Sequence, residues 1–209
     1  MNDLASNLTP KQIGEKYGYV DTDGNIVISP SFDEANPFEG DVARVHIKYR
    51  WGLIDRNGNL LGEPVFTHID EFSEGLARAG FDRYWGYIKP NAEWAVEPQF
   101  RNAFRFCNGI TAVRKHQGLY GFIDYAGSYV IPPTFEDIKL VDGWYPFRNK
   151  CIVLVRVEGK WGAINRNGDF VIEPTFDNVL DFQDGFAGAC LGQERKWIDI
   201  YGNITIVKD

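Results

Sequence analysis

The residues that most often carry chemistry in proteins are few and scattered in this sequence. The histidines are His46, His68 and His116, and the cysteines are Cys107, Cys151 and Cys190. No histidine has a Cys, Asp or Glu at the spacing of a metal site or a catalytic triad, and the cysteines form no repeated pair and no metal-ligand spacing. No phosphate-binding glycine loop, nucleophile elbow, HExxH or CxxC occurs either. The sequence therefore predicts no metal, no cofactor and no catalytic residues.

Carboxylates beside glycines form a recurring element that could suggest a calcium-binding or catalytic loop. The element is Asx-x-x-Gly, and it occurs at residues 21–24, 55–58, 124–127, 165–168 and 199–202. Short apolar runs flank it. An Asx side chain bonds its own backbone and glycine accepts a positive φ, so the pattern indicates a β-hairpin turn instead. Lys89-Pro90-Asn91-Ala92-Glu93-Trp94 departs from the pattern, which predicts a differently built turn there.

An aromatic residue followed by glycine precedes each of these turns and marks a tandem repeat. The aromatic residues are Tyr17, Trp51, Trp85, Tyr120 and Trp161, which lie 34, 34, 35 and 41 residues apart. Proline follows each aromatic by thirteen residues and phenylalanine by fifteen, and four copies have a second phenylalanine at offset 21, which copy four lacks. A period of this length indicates one supersecondary unit copied and stacked. A partial sixth copy begins near Arg195 and keeps Trp197 and Asp199 in register.

Short apolar runs separated by turns predict that each copy is a three-stranded antiparallel meander. The first two strands form the hairpin, the proline ends the second strand, and a segment such as Val42–Val45 supplies the third. Residues 1–16 precede the array and are predicted to form a cap or tail, with one helical turn from Thr9-Pro10 onward. We expect residues 17–209 to form a single repeat domain, because neighbouring copies share a core.

Copy four contains the main irregularity of the array. Between Phe135 and Trp161 it is longer than its counterparts by about seven residues, and insertions in repeat arrays often lie on the binding face. The candidate partner-binding residues in this insertion are Trp144, Tyr145, Phe147, Arg148 and Lys150. These residue types are enriched at interface hot spots, although the rings could equally fold over a neighbouring copy. Trp94, aligned with Ile26, Leu60, Tyr129 and Phe170, is expected mainly in the core and is a weaker contact candidate.

Charge and composition limit the classes of partner. The net charge is −7 with a sequence pI near 5.0, which disfavours nucleic acid and anionic membrane surfaces and favours a protein partner, for example a basic one. We find no secretion signal and no apolar run that could span a bilayer, so we expect a cytoplasmic location.

The recurring WG-x-I-D-x-x-G-x-x-(I/V)-x-x-P-x-F pattern resembles the WG-repeat family, also called KWG repeats, of bacterial proteins. Residues 160–176 reproduce the motif almost whole, and the resemblance covers residues 17–207. Departures are the tyrosines at Tyr17 and Tyr120, the altered turn of copy three and the missing aromatic-glycine pair of copy six. The resemblance implies a β-rich interaction module with no catalytic residues to transfer.

Together these observations predict an all-β tandem array, with an open twisted form favoured over a propeller-like closed ring. The leading functional hypothesis is a non-enzymatic protein-binding module, and one form of it is an immunity or regulatory protein that masks a partner. A lectin-like protein that binds glycans or small ligands is the first alternative. An enzyme on a β scaffold is the second.

Overall fold

The computed structural model describes residues 7–141, 143, 146–147 and 152–206. These residues form 22 β-strands and no helix, arranged in six antiparallel sheets. Contacts between Cα atoms divide the chain into two compact units, residues 1–99 and 100–209, and each unit is described by itself. The all-β class and the tandem arrangement are thereby confirmed. The single domain and the open or closed form of the array stay predictions.

The first unit contains three sheets. Sheet one consists of β1 (Thr9–Ile13), β2 (Lys16–Val20) and β3 (Ile26–Phe32), and sheet two of β4 (Glu34–Ala35), β5 (Ala43–Ile47) and β6 (Arg50–Ile54). Sheet three consists of β7 (His68–Ile69), β8 (Ala77–Phe81), β9 (Tyr84–Ile88) and β10 (Trp94–Phe100). In each sheet, strands that are consecutive in the chain are also neighbours, so every sheet is a meander.

The second unit repeats this arrangement. Sheet four consists of β11 (Asn102–Ala103), β12 (Thr111–Arg114), β13 (Tyr120–Ile123) and β14 (Tyr129–Phe135). Sheet five consists of β15 (Asp137–Lys139), β16 (Val153–Val157), β17 (Lys160–Ile164) and β18 (Phe170–Phe176), and sheet six of β19 (Asn178–Val179), β20 (Phe186–Leu191), β21 (Glu194–Asp199) and β22 (Ile204–Ile206).

Sheets two to six each combine residues from two sequence copies, so their boundaries differ from those that the sequence predicted. The third strand assigned to copy one, β5, pairs with β6 of copy two, from Ala43↔Ile54 to Ile47↔Arg50. Only two residues connect these strands, and Lys48 adopts a φ of 58° at their turn. Since a two-residue connection closes a hairpin directly, β5 pairs forward with β6 of the next copy and, on its other side, with the short strand β4, but not with the hairpin β2–β3 of its own copy.

The N-terminal segment is a strand, and the predicted helical turn is wrong. β1 pairs with β2 along its whole length, from Thr9↔Val20 to Ile13↔Lys16. It lies at the edge of sheet one, where a proline can be accommodated because the outer backbone amides need no partner strand. β1 thus occupies the place that β5 holds in sheet two.

In copies one, four and five, the glycine after the aromatic makes room for an irregularity in the neighbouring edge strand. In sheet five the register shifts between the pairs Trp161↔Phe176 and Ala163↔Ile172. A Cβ on Gly162 would lie 2.8 Å from the backbone nitrogen of Pro174. The proline therefore does not end the strand, as the sequence predicted, but occupies a bulge on the edge strand β18, which continues to Phe176.

The Asx-x-x-Gly elements form the predicted hairpin turns. In sheet six, Asp199 Oδ1 accepts hydrogen bonds from the backbone N–H groups of Tyr201 and Asn203, at 2.9 and 2.8 Å. Copy three makes the same backbone turn, with Lys89 N–H bonded to Glu93 O at 2.9 Å and Ala92 at a φ of 65°. The expectation of a different turn in copy three is wrong, because alanine takes the positive φ that glycine takes elsewhere.

The core lies between successive sheets within each unit. We call the side of a sheet that carries the residue two positions after the repeat aromatic, such as Tyr19 in sheet one and Trp197 in sheet six, its forward face and the opposite side its rear face. Between sheets one and two, Tyr19 on the forward face packs with Val45 and Ile54 on the rear face. Between sheets five and six, Ala163 packs in the same way with Ala189 and Ile198. In both of these pairs, the forward face is covered by a rear face of small and β-branched residues.

Candidate functional site

Most of the loop that the sequence nominated as a contact surface lies outside the described residues. This holds for Trp144, Tyr145, Arg148 and Lys150. Phe147 is described, and it is only 2% exposed. Its ring lies 5.2 Å from that of Phe122 between sheets four and five. Of the two alternatives that the sequence left open for this ring, the structure places Phe147 in the core.

Phe147 takes the place of the second phenylalanine that copy four seemed to lack. In copy one, Phe38 at offset 21 packs on Tyr19 with ring centroids 4.9 Å apart, and Phe122 is the counterpart of Tyr19. Phe147 stands at offset 27 from Tyr120 and packs on Phe122. The insertion therefore displaces this phenylalanine along the chain, and the packing of sheet four is kept.

Trp94 is partly buried at the start of the edge strand β10. Its ring makes an edge-to-face contact with Phe66, with centroids 5.3 Å apart, and it packs on the core cluster between sheets two and three. The residues aligned with it are more exposed, for example Ile26 at 54% and Phe170 at 40%. The position as a whole lies at the rim of each sheet and not in its centre.

The forward face of sheet six exposes large apolar side chains that its counterparts bury. Trp197 is 44% exposed, whereas the aligned residues of the earlier sheets are at most 1% exposed. Those residues are Tyr19, Leu53, Tyr87, Phe122 and Ala163. Phe186 is 48% exposed, while its counterparts Val42, Ile110 and Ile152 are buried. In the second unit, sheets five and six cover the forward faces of sheets four and five.

Two hollows flank the Trp197 ring on this face. The first has a volume of about 360 Å³, and its walls include Val179, Leu180, Gly188, Cys190, Arg195 and Lys196. Gly188 leaves the bottom of this hollow unfilled, because a Cβ at this position would lie 3.2 Å from the Leu180 side chain and 3.6 Å from the Trp197 indole. The second has a volume of about 560 Å³ and is lined by Gln183, Asp184, Phe186 and Thr205. Trp197 thus forms a ridge between two open apolar hollows.

The charges on this face are divided between the two hollows. Arg195 is exposed at the first hollow and has no ion-pair partner in the part of the chain that the structure describes, whereas Lys196 is paired with Glu194 at 3.3 Å. Asp184 is exposed at the second hollow. The first hollow is therefore cationic and the second anionic, although the chain as a whole is acidic.

A change in the repeat explains why charged residues stand here. Arg195 and Lys196 occupy the positions of the aromatic residue and the glycine in the other copies. β21 pairs with β22 without a register shift, from Lys196↔Ile206 to Ile198↔Ile204. Without the bulge no backbone crowds the glycine position, so a long side chain fits. Sequence reasoning missed Trp197 as an exposed residue, and the lost aromatic-glycine pair was the available signal.

A buried ion cluster in sheet three was also missed. Asp70 is 5% exposed and lies 2.8 Å from both His68 Nε2 and Arg78 Nε, and the Arg78 guanidinium stacks over Trp85 at 4.2 Å. Burial pushes the pKa of Asp70 upward, but the His68 hydrogen bond and the Arg78 charge outweigh it, so the pKa lies below its usual range. Every group of the cluster is engaged by another, which is typical of a structural role.

Across the described ranges, no group of three or more His, Cys, Asp or Glu side chains could hold a metal ion. Within the same ranges, no helix is long and apolar enough to cross a membrane.

Comparison with known sequences identifies the repeat. A family model described as "WG containing repeat" matches residues 17–48, 51–82, 85–117, 120–161 and 161–197. These five matches correspond to the copies counted in the sequence. No curated protein matches the chain.

Comparison with solved structures shows similarity at low sequence identity. A crystal structure described as the eukaryotic initiation factor superposes with a TM-score of 0.55 at 9% identity, over 97% of this chain and 62% of that one. BamB from Moraxella catarrhalis gives a TM-score of 0.45 at 10% identity, over 100% and 75% of the two chains. The computationally designed Ika8 protein gives 0.46 at 13% identity, over 98% and 71%. At these identities, the match above 0.5 supports a common fold and nothing about function.

Proposed function

Because the chain belongs to the WG-repeat family, whose repeats form a β-rich module, we propose that this protein is a non-enzymatic module that binds another protein. We place its contact surface on the forward face of sheet six. The observation that carries this proposal is the exposure of Trp197, at a position buried in all the preceding sheets.

Repeat physics supports this choice of surface. A repeat cannot bury its apolar face alone, and a large apolar surface left exposed usually marks an interaction site. Trp197 and Phe186 are 44% and 48% exposed on this face. An apolar face with an aromatic ridge and adjoining hollows is the usual form of an interface hot spot.

The finer parts of the proposal rest on the sequence. The residues Trp144, Tyr145, Arg148 and Lys150 have the composition of a second contact, and they remain candidates on that ground alone. Masking of a partner by a cytoplasmic protein is the regulatory form of the same proposal. The absence of recognisable catalytic motifs in the sequence favours binding over catalysis.

Affinity capture from the native cell lysate, with mass spectrometry, tests the proposed surface. The variant Trp197→Ala/Phe186→Ala removes the ridge and one hollow wall, while Tyr49→Ala removes an aromatic that is 89% exposed at a hairpin turn and serves as the matched control. We expect a protein that wild type and Tyr49→Ala both retain and that the double variant loses. Equal capture by all three, with unchanged circular dichroism, would show that sheet six is not the contact surface.

A further inference from the structure

We propose that the face of sheet six binds an extended protein segment in which a carboxylate lies next to a bulky apolar residue. The carboxylate would pair with Arg195 and the apolar side chain would enter the first hollow against Trp197. This inference rests on the proposed function and adds the chemistry of the bound segment.

The first hollow is suited to an apolar anchor. Leu180 and the Trp197 indole form its walls, with exposures of 61% and 44%, and Gly188 leaves the space between them open. Burying a large apolar side chain in such a hollow removes apolar surface from water on both partners. Apolar anchors in pockets dominate the binding energy of most interfaces.

The charge at the rim selects an acidic neighbour for that anchor. Arg195 has no ion-pair partner among the described residues. Its guanidinium can therefore donate hydrogen bonds to a carboxylate of the bound segment without first breaking an ion pair within those residues. Lys196 pairs with Ala189 and so stands on the opposite face, together with its ion-pair partner Glu194, which leaves Arg195 as the cation on the Trp197 side of β21. A basic segment would instead place like charges together, which disfavours it.

Asp184 sets the direction of the segment across the ridge. It lines the second hollow, on the other side of Trp197 from Arg195. A segment that crosses the indole therefore meets a cation on one side and an anion on the other. The carboxylate belongs on the Arg195 side, and a polar or basic residue of the segment is accommodated beside Asp184.

Selection from a random twelve-residue peptide library tests the chemistry directly. The folded full-length protein is the bait, and peptides that also bind Trp197→Ala are removed. We expect the remaining peptides to be enriched in Asp or Glu beside Leu, Phe or Trp. Enrichment of Lys or Arg at that place would overturn the proposed charge. If no peptide depends on Trp197, the surface named under the proposed function is itself wrong.

Charge reversal supplies the second arm of the experiment. Fluorescence anisotropy of one selected peptide should show at least about tenfold weaker binding to Arg195→Glu and unchanged binding to Lys115→Glu, a matched exposed cation on sheet four. A peptide with Lys in place of its acidic residue should regain affinity for Arg195→Glu. Equal binding to wild type and Arg195→Glu would refute the pairing.

Sedimentation of the protein alone tests whether a second copy of the chain, instead of a peptide segment, covers this face. If a dimer forms and Trp197→Ala dissociates it, a second copy covers sheet six and the segment proposal is overturned. A monomer at the same concentrations, with peptide binding as described, supports the proposal.

Discussion

Replacing the glycine of an aromatic-glycine pair by alanine should destabilise the protein strongly in copy five and weakly in copy two. In copy five, a Cβ on Gly162 would lie 2.8 Å from Pro174 N and 2.9 Å from Glu173 C, which are backbone atoms of β18. In copy two, a Cβ on Gly52 would meet Pro64 Cβ at 3.1 Å. Residues 60–66 form no strand beside it, so that segment can move aside more easily.

The expected magnitudes follow from these distances. Backbone atoms of β18 must retreat by several tenths of an ångström, and inserting a methyl group into packed surroundings costs about 1–3 kcal/mol. A weakened backbone hydrogen bond adds about 1 kcal/mol to the loss of stability. The lower conformational entropy of the unfolded chain with alanine reduces that loss by about 0.4–1 kcal/mol. These contributions span about 1–3.6 kcal/mol, and because several backbone atoms lie under 3 Å from the added Cβ we expect Gly162→Ala to fall in the middle of that span, at a loss of about 2–3 kcal/mol. Gly52→Ala should lose about 1 kcal/mol or less.

Thermal unfolding followed by circular dichroism measures the difference. For a chain of this length, each kcal/mol shifts the Tm by about 2–4 °C, so Gly162→Ala should melt about 4–12 °C below wild type and Gly52→Ala within about 4 °C of it. The two variants share the same substitution and the same repeat position, so they control for each other. Equal Tm values, or a larger loss in Gly52→Ala, would refute the close approach of β18 as the reason for glycine.

Three further predictions concern the core, the turns and acid stability. Phe147→Ala should lower the free energy of unfolding by about 3–5 kcal/mol, because it leaves a cavity in the core. Phe186→Ala should change it by about 0.5 kcal/mol or less, because this side chain is exposed. Similar Tm losses in the two variants would contradict the assignment of Phe147 to the core. Asp199→Ala should lower the Tm by a few degrees, because the hydrogen bonds that its carboxylate accepts in the turn are lost. Asp199→Asn should have a Tm close to that of wild type, because the amide oxygen of Asn165 accepts the same hydrogen bonds in copy five. Because the pKa of Asp70 is lowered in the folded protein, the stability that its carboxylate contributes is complete above the unfolded-state pKa near 4 and is lost as the pH falls below that value. The Tm of Asp70→Asn should therefore decline less steeply than that of wild type between about pH 4 and pH 2. An equal slope would contradict this prediction.

Local rules predicted the repeat and its turns because they depend on residues close in sequence. The Asx side chain at Asp55 bonds the two backbone amides that follow it, as the pattern of Asx and glycine required. The assignment of strands to sheets could not be derived in this way. β5 pairs with β4 of its own copy and with β6 of the next one, and the second pairing depends on the tight turn at Lys48, where no glycine marks the positive φ.

The displaced phenylalanine of copy four shows a second limit of sequence periodicity. Offset counting missed Phe147 because six additional residues separate it from its expected place. The packing requirement did not change: Phe122 still needs an aromatic partner on its forward face, and the chain supplies one from farther along. A search for the side chain that fills each core position, independent of spacing, would have found it.

The exposed face of sheet six follows from how glycine, proline and the bulge depend on one another. In copies one, four and five, glycine and proline face each other at a register shift; in copy six, lysine replaces glycine and the pairing is regular. Releasing the bulge lets residues 195 and 196 bear charged side chains beside the first hollow. The position two residues after Arg195 is still occupied by an aromatic residue, Trp197, although the equivalent position is buried in each of the preceding sheets. Copy six thus keeps the apolar half of the repeat's interface and adds charge at its rim.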